Sequence, residues 1–121
     1  MAYQDDVRRI ALTLPETTEG AADFRFLIDR KQFVWLWHER VHPKRARVAN
    51  PEVIAVRVAT EFDKETLIDM NPRVFFTEPH YDGYPAILVR LPAVDLDLLR
   101  VVLTDGWRSR APKRLLGERP G

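Results

Sequence analysis

The segment Phe75-Phe76-Thr77-Glu78-Pro79-His80-Tyr81-Asp82-Gly83-Tyr84-Pro85-Ala86-Ile87-Leu88-Val89-Arg90-Leu91 sets polar, aromatic and turn-forming residues between two runs of strand-forming type. Val74 to Thr77 and Ala86 to Leu91 are expected to pair, joined through Asp82-Gly83, a dipeptide suited to the positive backbone angles of a tight hairpin turn. Just downstream, Leu96, Leu99, Val102, Leu103 and Trp107 recur on one face of a helix beginning near Asp95. Just upstream, Thr60 or Asp63 is placed to cap a helix running through Met70, with Leu67 inward and Pro72 ending it.

Towards the N-terminus, Tyr3, Val7, Ile10, Ala11 and Leu14 recur at helical spacing until Pro15 stops the pattern. Thr17 to Asp23 is polar and contains Gly20, which predicts a connection. Phe24, Phe26 and Ile28 then alternate with Arg25, Leu27 and Asp29 at a period of two. After a short turn around Asp29 to Lys31, Phe33, Trp35 and Trp37 are expected on one face of a strand and Val34 and Leu36 on the other, so that strand should be central and covered on both sides. Residues 39–52, charged and carrying Pro43 and Pro51, predict a long connection with room for irregular pairing, before a β-branched strand from Val53 to Val58. The order is helix, three strands, helix, two strands, helix, which gives an α+β domain with helices packed on a mainly antiparallel sheet. Residues 1–121 are expected to form one domain with a basic C-terminal tail from about 108.

The chain has no cysteine, so neither a disulfide framework nor a thiolate metal site is possible. No apolar run reaches bilayer length, and Met1-Ala2-Tyr3-Gln4-Asp5-Asp6 lacks the basic and apolar regions of a signal peptide, so a cytoplasmic location is expected. Nineteen basic against eighteen acidic side chains leave a net charge of +1, no global argument for a polyanionic partner. Distribution says more. Arg108, Arg110, Lys113, Arg114 and Arg119 stand against Glu118 alone, and Lys44, Arg45 and Arg47 make a second cluster.

The hairpin segment, the amphipathic stretch Asp95 to Arg108 and Ala111-Pro112-Lys113-Arg114-Leu115 together resemble the MmcQ/YjbR family of small bacterial proteins, usually labelled DNA-binding. The resemblance spans nearly the whole chain, with its distinctive residues between Phe75 and Leu115. It implies a compact α+β fold that has been compared with type III secretion chaperones and with double-wing DNA-binding modules. The motif residues it marks are His80, Tyr81, Asp82, Gly83, Tyr84 and Pro85.

Other motifs are weaker. His38-Glu39-Arg40-Val41-His42 spells H-E-x-x-H, but that spacing holds zinc only on a helix. Here the preceding residues alternate as a strand and Pro43 follows, and extended residues four apart lie roughly 13 Å from one another. A strand end and loop is the better reading, with no metal. Ser109 is the only serine and sits among arginines, which leaves nucleophilic catalysis poorly supplied. Gly20, Gly83, Gly106, Gly117 and Gly121 are too dispersed for a phosphate loop, and no cofactor is expected. His80 and Asp82 could form an acid–base pair, although turn chemistry explains Asp82-Gly83 more cheaply.

Two readings of the C-terminal run compete. Arg108, Arg110, Lys113 and Arg114 could meet phosphates with Trp107 stacking on an unpaired base. Alternatively, Arg108 and Arg110 complement the negative end of the last helix, Trp107 and Leu115 pack, and the remainder is a solvated tail, which is the favoured account. Trp35 and Trp37 are expected in the core, and an exposed stripe would instead point to a peptide- or partner-binding sheet.

The leading expectation is a non-enzymatic binding domain with DNA as ligand and Arg108, Arg110, Lys113, Arg114, Lys44, Arg45 and Arg47 as candidate contacts. The alternative is a protein-interaction or chaperone-like module, and a third possibility is a small enzyme centred on His80 and Asp82. No membrane association is expected, and the expected assembly is a monomer with a homodimer left open.

Overall fold

The computed structural model describes residues 1–116; Gly117, Glu118, Arg119 and Gly121 of the sequence reading lie outside the described residues. Three helices pack on one face of a six-stranded antiparallel open sheet. The elements run α1 Gln4–Thr13, β1 Thr17–Glu19, β2 Arg25–Ile28, β3 Lys31–Glu39, β4 Val48–Arg57, α2 Glu61–Met70, β5 Phe75–Phe76, β6 Ala86–Arg90 and α3 Leu96–Arg110. The strand order is β1-β2-β3-β4-β6-β5, so the two longest strands lie inside, as expected for the Phe33 to Trp37 run.

Local chemistry sets the helix ends. The backbone N–H of Tyr3 donates to the Asp6 carboxylate at 2.8 Å, opening α1, and Val7, Ile10 and Ala11 turn its apolar face inward. Of the two candidate caps for α2, Thr60 fills the role: its hydroxyl accepts from the Asp63 N–H at 3.1 Å. Asp95 does the same for α3, accepting from Leu98 N–H at 2.7 Å. Each cap satisfies a donor that the first helical turn leaves without a partner.

Four expectations are corrected. Thr17–Glu19 is a strand, not a connection, because Glu16 takes a left-handed φ of 58° and turns the chain back along β2, with Thr17 opposite Ile28 and Glu19 opposite Phe26. Residues 39–52 hold strand at both ends: β3 continues to Glu39 and β4 starts at Val48, so the connection is confined to residues 40–47. The pairing there is irregular, jumping from Leu36↔Ile54 to His38↔Ala49, and Pro51 falls in the slack. His38 and Glu39 therefore end a strand and His42 lies in the following turn, as expected.

The third correction concerns Asp82-Gly83, which does not close a tight hairpin. β5 and β6 do pair, Phe75 with Val89 and Phe76 with Leu88, but a longer loop joins them and contains a 3-10 turn at Pro79–Tyr81. Asp82 (φ −64°, ψ 130°) and Gly83 (φ 76°) are the central residues of a type II turn closed by Tyr84 N–H donating to Tyr81 O at 3.0 Å. The two-residue hairpin with paired positive φ instead joins β2 to β3, at Asp29 (55°) and Arg30 (68°).

The fourth is the face of Phe33. Phe26 pairs with Val34 but Leu27 with Gln32, so Phe33 is an inserted bulge residue. A bulge breaks the alternation of faces, and Phe33 lies fully buried with Val34 and Leu36 on the helix side, not with Trp35 and Trp37. The main core there also contains Val7, Ile10, Ile54, Val56, Leu99 and Leu103. Trp107 closes its end, donating its indole N–H to Pro15 O at 3.0 Å. No helix among the described residues is long and apolar enough to cross a membrane.

Candidate functional site: the helix-free face of the sheet

The other face of the sheet carries a second, smaller apolar cluster to which no α-helix contributes. Register builds it row by row. Trp35 pairs with Ala55, Ala55 with Leu88, and Leu88 with Phe76, which puts two large rings at the ends of a row with a small residue between them. Ala55, Ala86 and Leu88 form a fully buried floor. Trp35, Trp37 and Phe76 stand over it half-buried, which corrects the expectation that both tryptophans are core. Trp37 meets Phe76 edge to face at 5.5 Å, and Trp35 meets Tyr84 at 6.4 Å.

The loop of the family-like motif folds onto this face. Tyr81 is buried there and accepts from the Trp35 indole N–H at 3.2 Å. Burial pushes the Tyr81 hydroxyl above its ordinary range, while the Trp35 bond acts in the opposite sense. His80 meets Tyr81 edge-on at 5.8 Å and is exposed, as are Asp82, Gly83 and Tyr84. His80 and Asp82 share no hydrogen bond in the structure; the His80 backbone N–H donates to Glu78 instead. Pro85 O accepts from Val58 N–H at 2.9 Å, fixing the loop to the end of β4. A cleft of about 300 Å³ opens between Trp35, His80, Tyr81 and Tyr84, and a second of about 400 Å³ lies beside Trp37, Phe76 and Arg90.

One residue that sequence reasoning passed over organises the loop. Lys64 of α2 is only 3% exposed, and its ammonium donates to Tyr81 O at 2.6 Å and Tyr84 O at 3.0 Å, with the Glu61 carboxylate 3.8 Å away. A lysine in a helix gives no sequence signal of such a role. Two arginines were also passed over. The Arg57 guanidinium lies 5.2 Å over the Tyr84 ring and that of Arg90 lies 4.0 Å over Phe76, both cation–π contacts. Arg90 also donates to Pro72 O at 3.2 Å.

The seven basic residues singled out by sequence are scattered. Arg108 is exposed on the helix layer, where it lines a groove between α2 and α3 with Asp63 and Asp105. Arg114 is held by Glu16 in a two-pronged ion pair, 2.7 and 2.9 Å, which keeps Glu16 below the usual carboxylate range. Lys113, Lys44 and Arg45 are exposed. Arg47 reaches the helix-free side, donating to His38 O at 2.8 Å and lying 3.8 Å from Glu78. Arg110, half-buried at the end of α3, lies near enough to Arg57 and Tyr84 for their charges to act on it. Among the described residues no group of three His, Cys, Asp or Glu side chains is placed to share a metal ion.

The chain is 40% identical over 126 residues to the uncharacterized protein Rv2570 of Mycobacterium tuberculosis, covering 96% of this chain and 94% of the relative. It belongs to the Rv2570 family. The uncharacterized protein Mb2600 of Mycobacterium bovis matches to the same extent. No family model and no solved structure matches the chain. Rv2570-family membership therefore brings no activity with it, and function has to be argued from the aromatic and arginine side chains of the sheet face.

Proposed function

We propose that this protein is a binding domain whose helix-free sheet face takes single-stranded nucleic acid, DNA in the first instance. The observation that carries the reading is the combination on one face of half-buried or exposed aromatic rings with arginines laid beside them: Trp35, Trp37, Phe76 and Tyr84 with Arg57 and Arg90. Unpaired bases stack on such rings whatever their identity, and guanidinium groups follow the backbone phosphates. The resemblance to the MmcQ/YjbR family, with its DNA-binding label, supports the same ligand class by analogy only. The C-terminal and β3–β4 basic residues then have a supporting role, since Arg114 and Arg47 already have carboxylate neighbours.

The test is titration of the protein with oligothymidylate, followed by quenching of tryptophan fluorescence. Tyr84 is 39% exposed, so Tyr84→Ala leaves the core intact. The substitution should weaken binding by about 5- to 150-fold, the range of one base–aromatic stack of about 1–3 kcal/mol. Affinity should also fall with salt, by a log–log slope of about −0.7 per phosphate contacted on a single strand. Oligonucleotide affinity that is unchanged in Tyr84→Ala and flat with salt would remove the nucleic-acid reading. A ligand captured by this face without salt dependence would favour a protein partner instead.

A further inference from the structure

Arg57 and Arg110 come from opposite layers of the fold yet meet at one corner. Period-two alternation along β4 sends Val53, Ala55 and Arg57 to the helix-free face, while Ile54 and Val56 enter the main core. Arg57 then spreads over Tyr84, with its Nη1 3.4 Å from the tyrosine hydroxyl. Arg110 reaches the same place from the last turn of α3. The helix can bring it there because it crosses β4 very closely: a Cβ added at Gly106 would lie 3.1 Å from the Arg57 carbonyl oxygen.

What distinguishes this pair is that, among the described residues, no carboxylate lies within ion-pairing distance of either member. Arg57 meets only the Tyr84 hydroxyl, whereas the other arginines named on the helix-free side meet a carbonyl or carboxylate oxygen: Arg47 has His38 O and Glu78, and Arg90 has Pro72 O. Among the described residues Arg110 donates no side-chain hydrogen bond and neither Arg57 nor Arg110 forms an ion pair. The Nε of each is buried without an acceptor. Burial first, and the Arg57 charge second, pull the Arg110 guanidinium below its ordinary range, with Tyr84 opposing. Two partly desolvated like charges close enough to repel raise the free energy of the fold unless an anion joins them.

We infer that Arg57 and Arg110 form an anion subsite at the rim of the Trp35–Tyr84 cleft, which receives a phosphate while the attached base lies against the aromatic rings. The inference rests on the reading of this face as a binding surface, but it specifies the ligand more narrowly: a phosphate next to a flat ring. That phosphate can be the terminal group of a nucleotide or a diester within a strand. Two guanidinium groups offer paired N–H donors that match phosphate oxygens, and the Arg57 guanidinium, 5.2 Å from the Tyr84 ring, brings charge and ring together.

The experiment compares thymidine, thymidine 5′-monophosphate, inorganic phosphate and oligothymidylate by calorimetry on the full chain, in wild type, Arg110→Leu and Arg57→Gln. The monophosphate should bind wild type at least tenfold more tightly than thymidine, and each substitution should abolish that advantage. Inorganic phosphate should raise the melting temperature of wild type and not of Arg110→Leu. Without phosphate, Arg110→Leu should melt at or above wild type, because a repulsion has been removed. A monophosphate advantage that survives in both variants overturns the subsite, as does a phosphate-induced melting shift equal in wild type and Arg110→Leu. If oligothymidylate binds both variants as well as wild type, the subsite falls and the nucleic-acid reading stands. If the monophosphate binds and the oligonucleotide does not, the subsite stands and the ligand is a small nucleotide.

Discussion

Lys64→Met removes the one buried charge that ties the aromatic loop to the helix layer, and its cost can be bounded. The methionine keeps the length and much of the volume of the lysine stem. Lost are two charge-assisted hydrogen bonds, to Tyr81 O at 2.6 Å and Tyr84 O at 3.0 Å. Bonds to charged groups contribute about 1.5–3 kcal/mol each, so their gross loss is about 3–6 kcal/mol. Against this, the mutant no longer buries an ammonium, and Glu61, 44% exposed, is resolvated at little cost. A net destabilisation of about 2–4 kcal/mol follows. At about 2.1 cal/mol/K of unfolding entropy per residue, that lowers the melting temperature by about 8–16 °C. Calorimetry measures the global term, and amide exchange locates it. Exchange should accelerate first at Tyr84, whose N–H is bonded to Tyr81 O, and at Ala86, and much less at β3 and β4 amides. A Lys64→Met protein melting within about 2 °C of wild type, with loop amides still protected, would falsify the view that this ammonium holds the loop.

Three further outcomes are expected. Gly106→Ala should destabilise by about 1–2 kcal/mol in denaturant titration even though alanine favours helix, because the new Cβ would sit 2.7 Å from Val56 Cγ1. Phe33→Ala should cost about 3–5 kcal/mol, the range for a core phenylalanine, and a loss below about 2 kcal/mol would place Phe33 on the half-buried face and disprove the bulge. Asp6 is held below its usual value by the Tyr3 N–H and then Arg9, and Glu16 by Arg114, so both contribute stability that is present above about pH 4.5 and lost as pH falls through their lowered values. The melting temperature should therefore fall below pH 4.5, and less steeply in an Asp6→Asn, Glu16→Gln double variant; equal slopes would show that these carboxylates do not carry the acid sensitivity.

The helices were legible because local signals mark each: α1 by periodicity up to Pro15, α2 by a cap at Thr60 and the stop at Pro72, and α3 by periodicity from Asp95. Strand existence was legible where β-branched or aromatic residues alternate, but β1 was not, since Thr17-Thr18-Glu19 is polar and becomes a strand only by pairing with β2. Tertiary pairing outweighs weak local propensity at such an edge. The bulge at Phe33 was equally hidden. Alternation assigns a face to each residue only while the register is unbroken, and one inserted residue moved the largest side chain of β3's first half to the other side of the sheet.

The same limit explains why the candidate site was only half visible. A search for basic character by local density selects runs, and runs occur where the chain is solvated: the end of α3 and the β3–β4 turn. Arg57 and Arg90 are single charges inside strands, and density passes over them. They become conspicuous once alternation and register are combined, because Arg57 follows Ala55 by two residues and stands opposite Ala86, while Arg90 follows Leu88 and stands opposite Val53. A charge in step with a row of buried alanines and leucines has to be on a face that no helix covers, since a covered face would leave it without water or a counter-charge. The tryptophans of β3 belong to that same face. Strand arginines in phase with strand aromatics are thus the pattern that marks an open binding surface, and in this chain they outrank the basic runs as a guide to where an anionic, flat-ringed ligand would sit.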